Sequence, residues 1–332
     1  MNQRQRQTLQ SILLVLTPIV FLGLALFIGR YPHPFWMNPS LLNDDVLAQR
    51  LVLNLRLPRV ITAMLLGMSL SAAGGVMQML FRNPLVEPGF LGVSQGAGFG
   101  AAFCIIFLST NPLAVEGVAT LFAVLGLALS YFFARKMRYG GWLLRLVLAG
   151  IAVSALFSAG LGILKYLADP NSQLQEIVFW LLGGLYSVTW RSLLYILPVV
   201  ILGLVMIYLM RWRLNLLAME DETAFSLGVS VGRERTLLLA AAVAITAVVI
   251  SVAGIVGWVG LIVPHIARRL SGANAANFIP LSISLGGIFG ILCDTLARTL
   301  TAGEIPLGII TSLLGAMIFI FLMVKPNLRV KQ

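Results

Sequence analysis

Three consecutive carboxylates, Glu220, Asp221 and Glu222, form the densest acidic chemistry in the chain. They stand in a polar segment, 217–230, between two long apolar runs, and arginines lie on both sides of it (Arg211 and Arg213, Arg233 and Arg235). The spacing predicts a short amphipathic helix. Acidic residues favour the positive N-terminal end of a helix dipole, Leu217, Ala224 and Leu227 fall on an apolar face, and Gly228 is placed to stop the helix. An apolar face behind an acidic start is docking chemistry. It suits a groove on a partner protein, or equally the surface of a membrane.

Other chemistries find no footing. Enzymatic catalysis needs a cluster of convergent polar groups, and none is visible. No HExxH occurs, there are only two histidines, and no lysine follows a glycine, so a phosphate-binding GxxxxGK[ST] loop is excluded. Cys104 and Cys293 sit in separate apolar runs and read as small core residues, not as a disulfide or a metal pair. His265 has no partner ligand nearby in sequence and reads as a packed histidine, and His33 as a loop residue. No metal, no cofactor and no enzymatic activity are expected.

The elements that must position the acidic segment are set by composition. Of 332 residues 59% are hydrophobic and 11% charged, and mean hydropathy is +0.96. That much apolar surface needs a bilayer as its solvent. The formal net charge of +11 matches loops of a polytopic protein and leaves no soluble face for nucleic acid. Apolar runs near 11–29, 57–81, 90–109, 113–134, 146–167, 192–210, 236–252, 254–267, 278–296 and 306–324 predict ten transmembrane helices in a single domain, 1–332. The eighth is short and glycine-rich. The stretch 177–187 is too short to cross and reads as interfacial or re-entrant. The N-terminal run lacks a small-residue cleavage site and reads as a retained first span.

Charge sets the expected orientation. With both termini in the cytoplasm, 16 of the 23 Lys and Arg lie inside, among them Arg4, Arg6, Lys325, Arg329 and Lys331. Arg30, Arg50, Arg56, Arg59, Lys165, Arg191 and Arg298 lie outside. The positive-inside bias therefore places 217–230 in the cytoplasm. Small-residue pairs at four-residue spacing (Ser71 and Gly75, Gly96 and Gly100, Ser154 and Ser158, Gly286 and Gly290) predict close helix packing. Trp36, Trp142, Trp190 and Trp212 fall near span ends and read as interfacial anchors.

The spans themselves hold almost no ionisable group, Asp294 being the main exception. An ion-coupled carrier keeps a carboxylate or histidine at mid-membrane, and a channel shows a filter or a ring of like charge. With neither present, the energy for uphill transport must come from a partner.

Glu222-Thr223-Ala224-Phe225-Ser226-Leu227-Gly228 fits the E-A-A-x-x-x-G pattern of ABC-importer permeases, with Thr223 replacing the first alanine. Further segments follow in order: LRLPR at 55–59, RNPLVEPGFLGVSQGAG at 82–98, GLIVPHIAR at 260–268, DTLAR at 294–298 and EIPLG at 304–308. Together, from about residue 50 to 324, the chain resembles the FecCD-type permeases of type II ABC importers, which import iron-siderophore, haem and cobalamin. The resemblance implies an all-α polytopic membrane protein of ten helices in the bacterial or archaeal cytoplasmic membrane. It implies a homodimer, two ATP-binding cassette subunits that hydrolyse the ATP, and a periplasmic or lipid-anchored binding protein. It implies ATPase coupling through Glu220, Asp221, Glu222, Thr223, Ala224, Leu227 and Gly228, and docking of the binding protein by Arg56, Arg59 and Arg298. Asn83 and Leu85 match a cytoplasmic gate, and Leu143 and Leu144 a second one. Some relatives carry small hydroxyl residues at that second gate, and Met317 stands where the family often has proline. The cargo implied is a metal chelate, iron-siderophore first, with haem, cobalamin or an oxyanion such as molybdate also in the family's range. A gradient-driven carrier or channel and a non-transporting membrane subunit are the rival readings.

Overall fold

The computed structural model describes residues 3–31 and 35–324. His33, Lys325, Arg329 and Lys331 lie outside the described residues, as do the side chains of Arg4 and Arg6. Helix α1 (Gln3–Phe27) leads into a two-residue antiparallel hairpin, β1 (Ile28–Gly29) against β2 (Phe35–Trp36), with Ile28 opposite Trp36. Short α2 (Leu41–Asp44) and α3 (Val46–Arg50) follow, and a π-helical turn, Leu51–Arg56, joins α3 to α4 (Leu57–Leu80). A 3₁₀ turn, Pro88–Leu91, precedes α5 (Val93–Phe107). Then come α6 (Pro112–Lys136), α7 (Trp142–Leu167), α8 (Gln173–Leu182), α9 (Trp190–Leu217) and α10 (Asp221–Ser226). The chain closes with α11 (Val231–Ala253), α12 (Val259–Ser271), α13 (Ala275–Thr299) and α14 (Leu307–Val324).

The helix starts follow local chemistry. Asn111 accepts from the Leu113 amide with Pro112 in the first turn of α6, Thr189 accepts from Ser192, and Asn274 from Ala276. Each satisfies a donor that a helix N-terminus leaves without an intrahelical partner.

Every expected apolar run coincides with a helix, but not all are long enough to cross. Among the described residues seven are: the continuous Val46–Leu80, α6, α7, α9, α11, α13 and α14. The apolar part of α1 (Ile12–Phe27), α5 and α12 are shorter. At about 1.5 Å per residue they span roughly 20–24 Å, against roughly 30 Å of hydrocarbon. The eighth run departs most. Residues 254–258 are not helical, with φ of +69° at Gly254 and +71° at Trp258, so α12 starts only at Val259. The expected interfacial segment 177–187 is helical only as far as Leu182.

The continuous helix through α4 is the axis of the bundle, buried along 83% of its apolar window, whereas α6, α7, α9 and α14 are only 28–33% buried and turn apolar faces outward. Lipid tails supply no hydrophobic drive between helices, so packing rests on close backbone approach. A Cβ on Gly67 would overlap the Gly286 carbonyl oxygen, and one on Gly290 the carbonyl of Ala63, so α4 and α13 touch backbone to backbone. Ser71 Oγ donates to the Ser282 carbonyl at 2.8 Å across the same seam. Gly96 and Gly100 face Phe122 and Val118 of α6 in the same manner. Of the small-residue pairs, only the one ending at Ser158 fails to form such a seam, because Ser158 is exposed.

Valine at Gly67 must push α4 off α13, a backbone clash exceeding the 1–3 kcal/mol typical of an overpacked core. We expect Gly67→Val to abolish a monodisperse folded peak in detergent gel filtration. Gly162→Ala, with nothing within 4 Å of the added Cβ, should leave the peak and its melting temperature unchanged.

Candidate functional site

The acidic segment folds into a smaller helix than its sequence suggests. Leu217 belongs to the end of α9, residues 218–220 form a turn, and only Asp221–Ser226 are helical. The end of α10 is closed by a Schellman motif: Val229 N–H donates to the Ala224 carbonyl (3.1 Å), and Gly228 N–H to Phe225 (2.9 Å). Gly228 takes φ +80°, which a glycine adopts without a Cβ penalty. Ala224 and Val229 are both buried, the apolar contact that accompanies this motif. The expected apolar face of Leu217, Ala224 and Leu227 is therefore divided. Leu217 and Ala224 pack into the protein's own core, while Leu227 is exposed together with Phe225 and Met219. Glu220, Glu222 and Thr223 are exposed as well.

Two arginines fasten this helix to the rest of the bundle. Arg235 of α11 is buried, donates to both carboxylate oxygens of Asp221 (2.8 and 3.3 Å), and lies over the Trp142 ring, 5.0 Å from its centroid. The Arg235 guanidinium holds the Asp221 carboxyl below the usual aspartate range, chiefly through the hydrogen bond it donates. Trp142 is the first residue of α7, adjoining Leu143 and Leu144. It is thus a stacking partner for Arg235. Arg82, at the end of α4, donates to the Met219 carbonyl just before α10. Asn83 and Leu85 follow directly in an Asx turn, Asn83 Oδ1 accepting from Leu85 N–H at 2.9 Å. Both expected gate segments are consequently tied to the α10 turn, each by one arginine. Leu85 and Leu144 are exposed and Leu143 packs against the core.

Beyond the gate loop lies a cavity of about 330 Å³, lined by Glu87, Ser94, Gln95, Ser154 and the apolar Leu70, Ile250 and Val256. Burial pushes the Glu87 carboxyl above the usual glutamate range. Its Oε2 accepts from the backbone N–H of Trp258 at 3.4 Å, bridging the gate loop to the break between α11 and α12.

At the far end of α4, roughly 35 Å away at 1.5 Å per residue, the arginines expected to dock a partner are held within the chain. Arg56 and Arg298 are buried, and they cap α1. Arg56 Nη1 donates to Leu26 O (2.9 Å), Arg298 Nη1 to Ile28 O (2.6 Å), and Arg298 Nη2 to Ala25 O. The last carbonyls of a helix lack intrahelical donors and carry partial negative charge, which accounts for the arrangement. Arg59 pairs with Asp294 through Nε (2.7 Å) and with both oxygens of Glu304 through Nη1 (2.7 and 2.9 Å). Asp294, 1% exposed, also lies 3.3 Å from Arg298 Nε. Arg59 and Glu304 border a second cavity of about 540 Å³, whose wall also carries Gln175, Glu176, Phe179, Tyr186 and Pro306.

Glu87, Glu176 and Glu116 were not singled out by sequence reasoning. Glu116, in the second turn of α6, is buried and accepts from Ser192 Oγ at 2.8 Å. The spans are thus less empty of carboxylates than expected. Glu87 had a usable signal, a carboxylate between Pro88 and a gate motif. Glu116 and Glu176 had none, since their surroundings come from α9 and from the loops at the far end of α4.

The family model described as FecCD transport family matches residues 14–325. The molybdate import system permease MolB of Haemophilus influenzae is 36% identical over 95% of this chain and 94% of its own. The hemin transport system permease HmuU of Yersinia pestis is 38% identical over 98% of each. A solved ABC transporter described as of metal-chelate type, in an inward-facing conformation, superposes with a TM-score of 0.87 at 35% identity, covering 95% of this chain and 98% of that one.

Two outcomes follow from this geometry. Asp294→Asn leaves the buried Arg298 without its carboxylate and Arg59 with Glu304 alone, and should destabilise the protein by about 3–5 kcal/mol, the range for breaking a buried ion pair, read as a loss of several degrees in detergent melting. The Asp221 pair contributes stability above the unfolded aspartate pKa and loses it as pH falls through the lowered folded value. Hydrogen exchange at 221–228 should therefore stay slow at pH 5 and speed up only below about pH 4, where an ordinary aspartate titrates.

Proposed function

The chain belongs to the FecCD transport family, and from that premise we propose that it is the membrane permease of an ATP-driven importer of a metal chelate. The observation that carries the mechanism is the pair of arginine tethers. Arg82 and Arg235 tie the α10 turn to both gate segments, so a push on α10 reaches Asn83–Leu85 through one tether and Trp142–Leu144 through the other. The exposed Phe225, Leu227 and Met219 supply the apolar contact for an ATPase groove, and Glu220 and Glu222 the polar rim. ATP hydrolysis resides in that partner, and the permease needs no cofactor of its own.

In this reading the termini and α10 lie in the cytoplasm and all ten apolar helices cross or enter the bilayer, α5 and α12 as short helices next to the broken backbone at 81–92 and 254–258. Irregular backbone at that depth is tolerated where protein covers it, as the Gly184 N–H bond to Ala253 O (2.8 Å) illustrates. Two copies pair around the pathway, two ATPases engage the two α10 helices, and a binding protein delivers cargo at the opposite face. Docking there uses Arg59, whose Glu304 partner is exposed and exchangeable. Arg56 and Arg298 shape the surface from beneath by fixing the end of α1. The cargo is a metal chelate, iron-siderophore first, with haem, cobalamin or an oxyanion such as molybdate also in range.

The test is reconstitution. Proteoliposomes holding the permease, its ATPase and its binding protein should accumulate the chelate with ATP, and an ion gradient alone should drive none. Leu227→Asp should weaken ATPase binding by at least about tenfold, as loss of a buried apolar anchor does, with the melting temperature little changed because Leu227 is exposed in this chain. Gradient-driven uptake by the permease alone would replace this reading with that of a secondary carrier.

A further inference from the structure

Helix α14 is buried along only 28% of its apolar window. Three of the supports that hold it come from the 254–258 break and α12. At its first turn, Gly308 sits so close to the break that a Cβ would lie 2.9 Å from Ile255 O and overlap Leu182 O. At its middle, a Cβ on Gly315 would lie 2.5 Å from Trp258 Cβ, so only glycine leaves room for that residue. The Trp258 ring also meets Phe319 edge-on, with centroids 6.2 Å apart. At its end, Leu322 O accepts from Arg269 Nη2 at 2.7 Å.

The gate loop grips the same break from another side. Glu87 Oε2 accepts from Trp258 N–H at 3.4 Å. The next residue, Pro88, packs on Gly260, where a Cβ would lie 2.5 Å from Pro88 Cδ and 2.8 Å from Leu70 O. Gln78 Nε2 donates to Gly260 O and Leu261 O, both at 3.2 Å. The start of α12 is therefore clamped between α4, the gate loop and α14.

Trp258 stands at the centre of this clamp with an uncommon backbone. Its φ of +71° is an outlier for so bulky a residue. Gly254 and Gly257 lie in the same five residues, and glycine at 258 would adopt the conformation without a Cβ penalty. A strained residue of this kind points to a role for its side chain. Here the amide faces the gate loop and the ring faces α14. Arg82 already ties the α10 turn to the gate loop. We propose that Trp258 is the positioning residue that joins α14 to the gate loop, so that the two move together when α10 is displaced. The proposal rests on the importer reading for what displaces α10, but the joint itself does not.

The test uses the complete transporter in lipid nanodiscs. Spin labels at Leu313→Cys on α14 and Leu125→Cys on α6, both exposed positions, report one intramolecular distance when labelled permease is diluted with unlabelled copies. The native Cys104 and Cys293 are buried. Without nucleotide, Trp258→Ala should widen the distance distribution about twofold or more, because a helix released from its support populates further positions. Glu87→Ala, in the gate loop, should widen it as well. The double variant should be no wider than the wider single one, the non-additivity of residues in one linkage. Trp258→Phe keeps a ring against Gly315 and should retain the native width. A native width in Glu87→Ala, or widths that add in the double variant, overturns the proposal whether or not the protein is an importer, and leaves Trp258 as packing for α14 alone. If Trp258→Ala gives no monodisperse peak in gel filtration, Glu87→Ala and Trp258→Phe decide.

Trapping the ATPase with ATP and vanadate should shift the native mean distance by roughly 2 Å or more, the scale of helix movements at switching interfaces. Glu87→Ala should remove about half of that shift or more while hydrolysis continues, as a loosened linkage does. An unmoved α14 in a native complex that hydrolyses ATP overturns the proposal and leaves the importer reading standing. A permease that engages no ATPase, yet shows the expected widths, supports the joint and removes the importer reading.

Discussion

A bilayer offers no water to a broken backbone, so wherever this chain leaves the α-helix its own side chains and amides must complete the hydrogen bonding. That constraint accounts for much of what the charged residues do. Arg56 and Arg298 reach the terminal carbonyls of α1, Gly184 bonds Ala253 across the end of α8, and Glu87 receives the amide of Trp258. Each polar group stands where a helix stops short. Four-fifths of the apolar window of the axial helix is buried, and glycine seams hold α13 and α12 against it.

The arginines divide into two populations with different mechanics. At the far end they neutralise and cap, with Asp294 as the shared counter-charge, and this part of the protein is bound together by buried pairs that are expensive to separate. At the α10 end, Arg82 and Arg235 bind to partly exposed partners, Met219 and Asp221. Arg82 binds a backbone carbonyl at the surface, whereas the buried Arg235 reaches out to a carboxylate that solvent also reaches. A buried cluster at one end and a solvent-reached one at the other, joined by a single continuous helix, form an arrangement in which displacement at one end is carried to the other.

Much of this architecture was legible in the residues. Hydropathy located the long apolar helices but not α2 or α3, because apolar length is a one-dimensional property, and Gly228 marked the end of α10 because only a left-handed residue could close it. The small-residue pairs announced the α4–α13 and α5–α6 seams. What sequence could not supply was partnership over long separation. Leu227 and Ala224 look alike on a helical wheel, yet one packs inward and the other outward, because α9 and α11 approach from one side only. The far-end arginines read as outward-facing groups until the end of α1, thirty residues before Arg56 and some 270 before Arg298, comes into place beside them. Helix length failed at α12 for a local reason: Gly254 and Trp258 both take positive φ, and a run of apolar residues does not reveal that turn.

Helix α4 ends in the same backbone motif as α10, with Asn83 N–H reaching Gln78 O and Arg82 N–H reaching Met79 O. The left-handed position, however, is held by Arg82 at φ +49° and not by glycine. A left-handed arginine costs about 1–2 kcal/mol relative to right-handed backbone, and glycine would avoid it. The chain thus terminates its central helix with a residue ill suited to the conformation, and that same residue carries the tether to Met219. Sequences optimised only for stability would converge on glycine here and lose the tether. Laboratory consensus or thermostabilised versions of this permease that adopt it should be read with that exchange in mind: a sturdier helix end whose motion no longer follows α10.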